Sequence, residues 1–134
     1  MNREIQTDQA PASFSNYSQG MEIPASASTL HISGQVGVQP DGTLVGSAEG
    51  QMETAWQNVF AILEAANMSK EDIVDVLAIV PNQEDVGLYR KVRDSMLGEH
   101  RACSTLLVCG LADPEWRVEI AVKAAKIGEA AIGA

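Results

Sequence analysis

Basic residues, aromatics and cysteines are all scarce in this chain. Nine Lys and Arg stand against eighteen Asp and Glu, a formal net charge of −9. That balance weighs against general nucleic-acid binding, which needs a basic field to displace counterions from phosphate. It weighs equally against an anionic membrane surface. Arg90, Lys91 and Arg93 form a local basic cluster, read as the solvated face of a helix. Only two cysteines are present. Cys103 and Cys109 lie six positions apart, so on one strand they share a face at a distance of about 20 Å, too far to bond to each other. With two histidines, no CxxC and no HExxH, the pattern indicates no metal centre. No apolar run approaches the roughly 20 residues of a membrane span. The first twenty residues, with Gln6, Asp8, Ser13 and Asn16, lack the apolar centre of a signal peptide. A cytoplasmic protein is the expectation.

What is there suffices for one domain over residues 1–134. The chain has 134 residues and 46% hydrophobic content in 14.3 kDa, enough to bury a core without metal or disulfide staples. Residues 1–13 are polar, contain Pro11, and read as a loosely held arm. Phe14 to Met21 leads into a first strand, and Thr29–Ser33 reads as a strand stopping at Gly34. Gln35–Val38 continues extended to a turn at Pro40-Asp41-Gly42. From Glu49 to Asn67, Trp56, Val59, Phe60 and Leu63 recur at helical spacing. Ser69 with Asp72 resembles a capping turn. Ile73–Val80 is rich in β-branched residues and stops at Pro81, a strand. Glu84–His100 reads as a second helix with Leu88, Tyr89, Val92 and Met96 on its apolar stripe. Ala102–Val108 and Trp116–Val122 read as two final strands, and the tail containing Gly133 reads as frayed. The resulting order, β-β-α-β-α-β-β, implies an α+β fold with two helices on one face of one sheet.

Two residues in the last strands stand out. Glu119 lies between Val118 and Ile120, where a carboxylate is costly unless it has a partner or a task. Arg117, Glu119 and Lys123 share one parity, however, so all three can face solvent. Cys103 opens the preceding strand.

The element order and four short motifs together resemble the Rid family, also called the YjgF or enamine/imine deaminase family, from about Ser15 to Lys123. The motifs are Asn16-Tyr17-Ser18-Gln19-Gly20, Leu30-His31-Ile32-Ser33-Gly34-Gln35-Val36, Gln57-Asn58-Val59 and Val118-Glu119-Ile120. The resemblance implies a chorismate-mutase-like fold and a homotrimer with sheets inside, helices outside and clefts between subunits. It implies hydrolysis of reactive enamines or imines such as 2-aminoacrylate to a keto acid and ammonia, without a cofactor. It places Tyr17 on a cleft tyrosine, Ser33 and Gly34 on a Ser-Gly motif, Thr105 where a main-chain carbonyl helps hold the attacking water, and Glu119 on the water-holding glutamate. One departure stands out. Where relatives carry Ala-Arg-Ser/Thr, with the arginine pairing with the substrate carboxylate, this chain has Ala102-Cys103-Ser104, preceded by Arg101 instead of proline.

Hydrogen bonds to charged groups contribute roughly 1.5–3 kcal/mol, and cysteine cannot replace a bidentate guanidinium. Either the substrate has no carboxylate there or Arg101 supplies the cation. Cys103 itself can be a small buried hydrophobe, a pocket wall or a nucleophile, the last requiring a lowered pKa. Tyr17 can close the cleft or simply pack at an interface, and Ser33 can offer its hydroxyl or simply end a strand. His31 reads as a packed or interface residue. Three functions stay open: a Rid-type hydrolase or deaminase, a non-catalytic trimer binding a small metabolite, and an RNA-cleaving relative, the last disfavoured by charge. Apolar residues on both parities (Leu106, Leu107, Val108, Cys109) suggest that both sheet faces are buried, the second by other subunits.

Overall fold

The structure, a computed structural model, describes residues 1–128; the tail expected to fray lies outside them. β1 (Arg3–Ile5) and β2 (Gly20–Glu22) form an antiparallel pair. β3 (Ala27–Gln35), β4 (Ile73–Val80), β5 (Cys103–Val108) and β6 (Glu119–Ile127) form a four-stranded sheet of order β3-β6-β4-β5. β6 is antiparallel to both neighbours and β4 runs parallel to β5, so the sheet is mixed. Helices α1 (Ala48–Ala65) and α2 (Val86–Leu97) complete the chain, giving the expected α+β arrangement of two helices packed on one sheet.

Alternation decides which sheet face they cover. Ile32, Val76, Ala78, Val80, Ile120, Val122 and Ala124 are buried and join Met52, Trp56, Val59, Leu63, Tyr89 and Val92 of the helices in one core. The intervening residues project from the opposite face: Asp75, Leu77 and Ile79 on β4, Cys103, Thr105 and Leu107 on β5, Glu119, Ala121 and Lys123 on β6. No described helix covers that face.

Local chemistry sets the helix ends. Ser47 caps α1 by accepting from Gly50 N at 3.0 Å. At the other end Asn67 adopts φ 58, while Met68 N donates to Leu63 O and Asn67 N to Glu64 O. This is a Schellman closure with asparagine in the left-handed position. The Ser69–Asp72 turn forms as expected, with Asp72 Oδ2 accepting from Ser69 N at 2.9 Å.

Several expectations need correction. Residues 3–5, expected in a loose arm, are held as β1 against β2, and Asn2 Nδ2 donates to Ala125 O at 2.8 Å. The first strand after the arm is confined to Gly20–Glu22. The strand expected to stop at Gly34 continues to Gln35 through a bulge. The second helix is shorter than Glu84–His100, because Asp85 N donates to Asn82 O in a tight turn and Gly98 ends the helix at φ 63.

Gly37 is needed for close packing. A Cβ there would stand 2.5 Å from Gln51 Cα and 2.6 Å from its Cγ, against helix backbone that cannot yield cheaply. Gly37→Ala is therefore expected to destabilise the fold by about 1–3 kcal/mol, lowering the melting temperature by about 4–12 °C in a calorimetric scan.

Candidate active site

Glu119 opens β6 beside the irregular end of β3. Ile32 pairs with Val122 and Gln35 with Ile120, so Ser33 and Gly34 together face Ala121 alone. Such a bulge re-aims side chains and bends the strand. Glu119 uses the space left by the glycine: a Cβ on Gly34 would lie 2.7 Å from Glu119 Cδ and 2.8 Å from its Cγ. The half-buried carboxyl group thus rests on bare backbone at the open face. No hydrogen bond to its oxygens is formed among the described residues, so both remain available to a water or a ligand. Ser33 is exposed, and its carbonyl accepts from Gln35 Nε2 at 3.1 Å.

A second group gathers at the opposite end of the sheet. Cys103 is in register with Asp75, which is in register with Lys123, itself opposite His31. Burial pushes the Cys103 thiol up, and the Asp75 and Glu4 carboxylates push it further. A thiol held protonated in acidic surroundings is a poor nucleophile. In a Cys109→Ser variant, alkylation of Cys103 by iodoacetamide at neutral pH should therefore run slower than that of free cysteine, as read by intact mass.

Arg101 lies at this end, where its Nη2 donates to Tyr17 O at 2.8 Å and stands 3.7 Å from Glu4 Oε1. The Tyr17 hydroxyl accepts from Phe14 N at 3.1 Å, closing a turn of its own segment. Buried Ser18 anchors that segment to the start of β5: its Oγ donates to Arg101 O and its N to Ala102 O, both at 2.9 Å.

The candidates thus fall into two groups. Ser33, Gly34 and Glu119 sit together; Tyr17, Arg101 and Cys103 form the other set. Glu119 is in register with Ile79, and Ile79 with Leu107, four residues along β5 from Cys103, or about 13 Å. Exposed Thr105 lies between. One protomer does not bring the sets together.

Three further residues organise the Glu119 end. Buried Gln51 (2% exposed) accepts from Arg117 N at 2.7 Å and donates to Glu115 O at 3.2 Å. Arg117 in turn donates to Asp85 Oδ2 from Nε at 3.1 Å and Nη2 at 2.7 Å. The sequence carried a signal for Gln51, which stands four residues before Ala55 and eight before Val59 on the buried stripe of α1. Nothing local marked Asp85 as the partner of Arg117, thirty-two residues away.

Residues 7–126 match the family model described as Ribonuc_L-PSP, Endoribonuclease L-PSP. The chain belongs to this family, the YjgF/Rid family. A RutC family protein of Aquifex aeolicus is 43% identical over 75 residues, which are 55% of this chain and 58% of that protein's own length. The 2-iminobutanoate/2-iminopropanoate deaminase of Salmonella typhimurium is 31% identical over 103 residues, 76% of this chain and 78% of that protein. The crystal structure of a Rid-family protein of unknown function from Yersinia pestis superposes with a TM-score of 0.81 at 26% identity, covering 93% of this chain and 98% of that one. A Rid fold thus carries Glu119 and Gly34 on its open sheet face, with no described helix long and apolar enough to cross a membrane.

Proposed function

We propose that this protein is a hydrolytic deaminase of small reactive enamines or imines, working in clefts between the copies of a homotrimer. Water adds to the carbon of the C=N bond while Glu119 takes one of its protons and passes it to the nitrogen; the carbinolamine then gives up its hydroxyl proton to the nitrogen, which departs as ammonia and leaves a carbonyl compound. The observation that carries this reading is the Glu119 carboxylate lodged over Gly34 at the uncovered face, its oxygens unengaged among the described residues. A general base must reach its water at hydrogen-bonding distance, and an unengaged carboxylate can. The Salmonella relative's name as a 2-iminobutanoate/2-iminopropanoate deaminase supports the same chemistry. Cleft formation between copies accounts for the separation of the two groups: the Cys103 end of one protomer meets the Glu119 end of the next.

The deciding experiment is ammonia release from freshly generated 2-aminoacrylate, measured against spontaneous hydrolysis. Rates no faster than the spontaneous reaction across several imines would reject the proposal. Light scattering should give three times the 14.3 kDa chain mass, and a monomer would contradict the shared cleft.

Cys103 leaves the cleft without a guanidinium, and Arg101 is engaged by Tyr17 and Glu4. Cys103→Arg is expected to lower KM for a 2-imino acid about tenfold, the smaller effect of a hydrogen bond to a charged group. The same engagement of Arg101 favours one second reading, a non-catalytic trimer that binds a small metabolite. Tight binding of a 2-keto acid without turnover of any imine would select it. Cleavage of RNA, the activity in the family model's description, is disfavoured by the −9 charge; RNA loss that fades on further purification would mark a contaminant.

A further inference from the structure

On helix α1 the amide side chains of Gln51 and Asn58 stand seven residues apart, on one face and about two turns from each other along it. Each holds one of the two chain segments between which Glu119 lies. Gln51 spans the entry to β6, accepting from Arg117 N and donating to Glu115 O. Asn58 Nδ2 donates to Val38 O at 2.8 Å and Val36 O at 3.3 Å, gripping the chain just after β3. Gly37 lets that chain press directly on Gln51. From the other helix, Asp85 holds the Arg117 guanidinium, two residues before Glu119. Both walls of the Glu119 site are thus tied to the helical layer by directional bonds, not by apolar contact alone.

We infer that Gln51, Asn58 and Arg117 are positioning residues that fix the side-chain rotamer of Glu119 over Gly34. As positioning residues they act through the carboxylate, so the inference rests on the reading of Glu119 as the water-holding base. The chemical reason for such a brace is steep: misplacing a reacting group by about 1 Å costs up to a hundredfold in rate. An unbraced strand opening, next to a bulge, leaves a three-torsion side chain free to wander. Buried amides that only satisfied backbone groups would have no effect on Glu119 beyond general stability.

The test uses the full chain labelled at glutamate. Three-bond couplings across Glu119 χ1 report one rotamer or an average, independently of any activity. In wild-type protein a single rotamer is expected; in Gln51→Leu and Asn58→Leu the couplings should average, and ammonia release should lose kcat by roughly ten- to a hundredfold with KM within about twofold. Arg117→Met should behave likewise, with Arg117→Lys restoring most of the loss. Val92→Ala, a core truncation in α2 outside this network, serves as the control matched in melting temperature and should leave the rotamer intact. A single Glu119 rotamer retained in Asn58→Leu and Arg117→Met, or averaging of equal extent in Val92→Ala, would overturn the inference. If Gln51→Leu fails to fold, the part-exposed Arg117 still decides. If the wild-type protein hydrolyses no imine, the proposed function falls, while the couplings still decide whether the brace exists.

Discussion

Glu119→Gln should reduce kcat for imine hydrolysis by about 10²–10⁴-fold while leaving the melting temperature within a few degrees. The expected loss is that of removing a general base, because the amide keeps the shape of the side chain but cannot accept the proton of an attacking water. The fold has little at stake in the change. Glu119 is half-buried on the face away from the helices, and its oxygens bond no described donor, so the isosteric amide strands nothing. Rates would be followed by ammonia release under single-turnover conditions, since the reactive substrate decays on its own. A variant retaining most of the wild-type rate would remove Glu119 from the chemistry.

The second large effect reaches the same carboxylate from the opposite strand. Gly34→Ala should approach the rate loss of Glu119→Gln without replacing a charged or polar side chain. The new methyl group would occupy the space of Glu119 Cγ and Cδ, at 2.8 and 2.7 Å, far inside van der Waals contact. Gly34 is not among the positive-φ glycines, Gly42 and Gly98, so alanine fits the backbone without strain. The side chain yields instead, rotating out of its position at a cost of about 0.5–1.5 kcal/mol. The protein should therefore stay folded and lose its activity. The double variant should be no slower than the worse single one, the coupling expected when two changes disable one device. Additive losses would show that Gly34 acts through something other than Glu119.

Some elements are legible in the sequence and others are not. Ile73–Val80 was legible to the residue, because a β-branched run closed by Pro81 leaves the chain few alternatives. The first helix was legible for the same kind of reason, its apolar stripe being long. Misjudged boundaries have distant causes. Trp116 to Val118 alternates like a strand, yet β6 begins only at Glu119, because Arg117 N bonds the buried Gln51 of α1 and not a neighbouring strand. Residues 3–5 look like a tail until Gly20–Glu22 offers them a ladder. The Ser-Gly motif marked the position of Glu119's neighbour but not the bulge that turns the carboxylate onto Gly34. That required the register of β3 against β6, which no local pattern encodes. The acidic setting of Cys103 was likewise hidden, since Glu4 and Asp75 come from two other strands.

The sheet order also has a consequence for handling the protein. Among the described residues β5 ends the row beyond β4, with no strand to pair with one rank of its amides and carbonyls, and Leu107 and Val108 stand 45% and 41% open to water beside it. An unpaired, apolar margin is a template for any other extended chain. With the copies associated as proposed, dilution that separates them should thus do more than silence the cleft. It should also let thioflavin-binding aggregates form slowly, and Leu107→Lys should keep the separated protomers free of them.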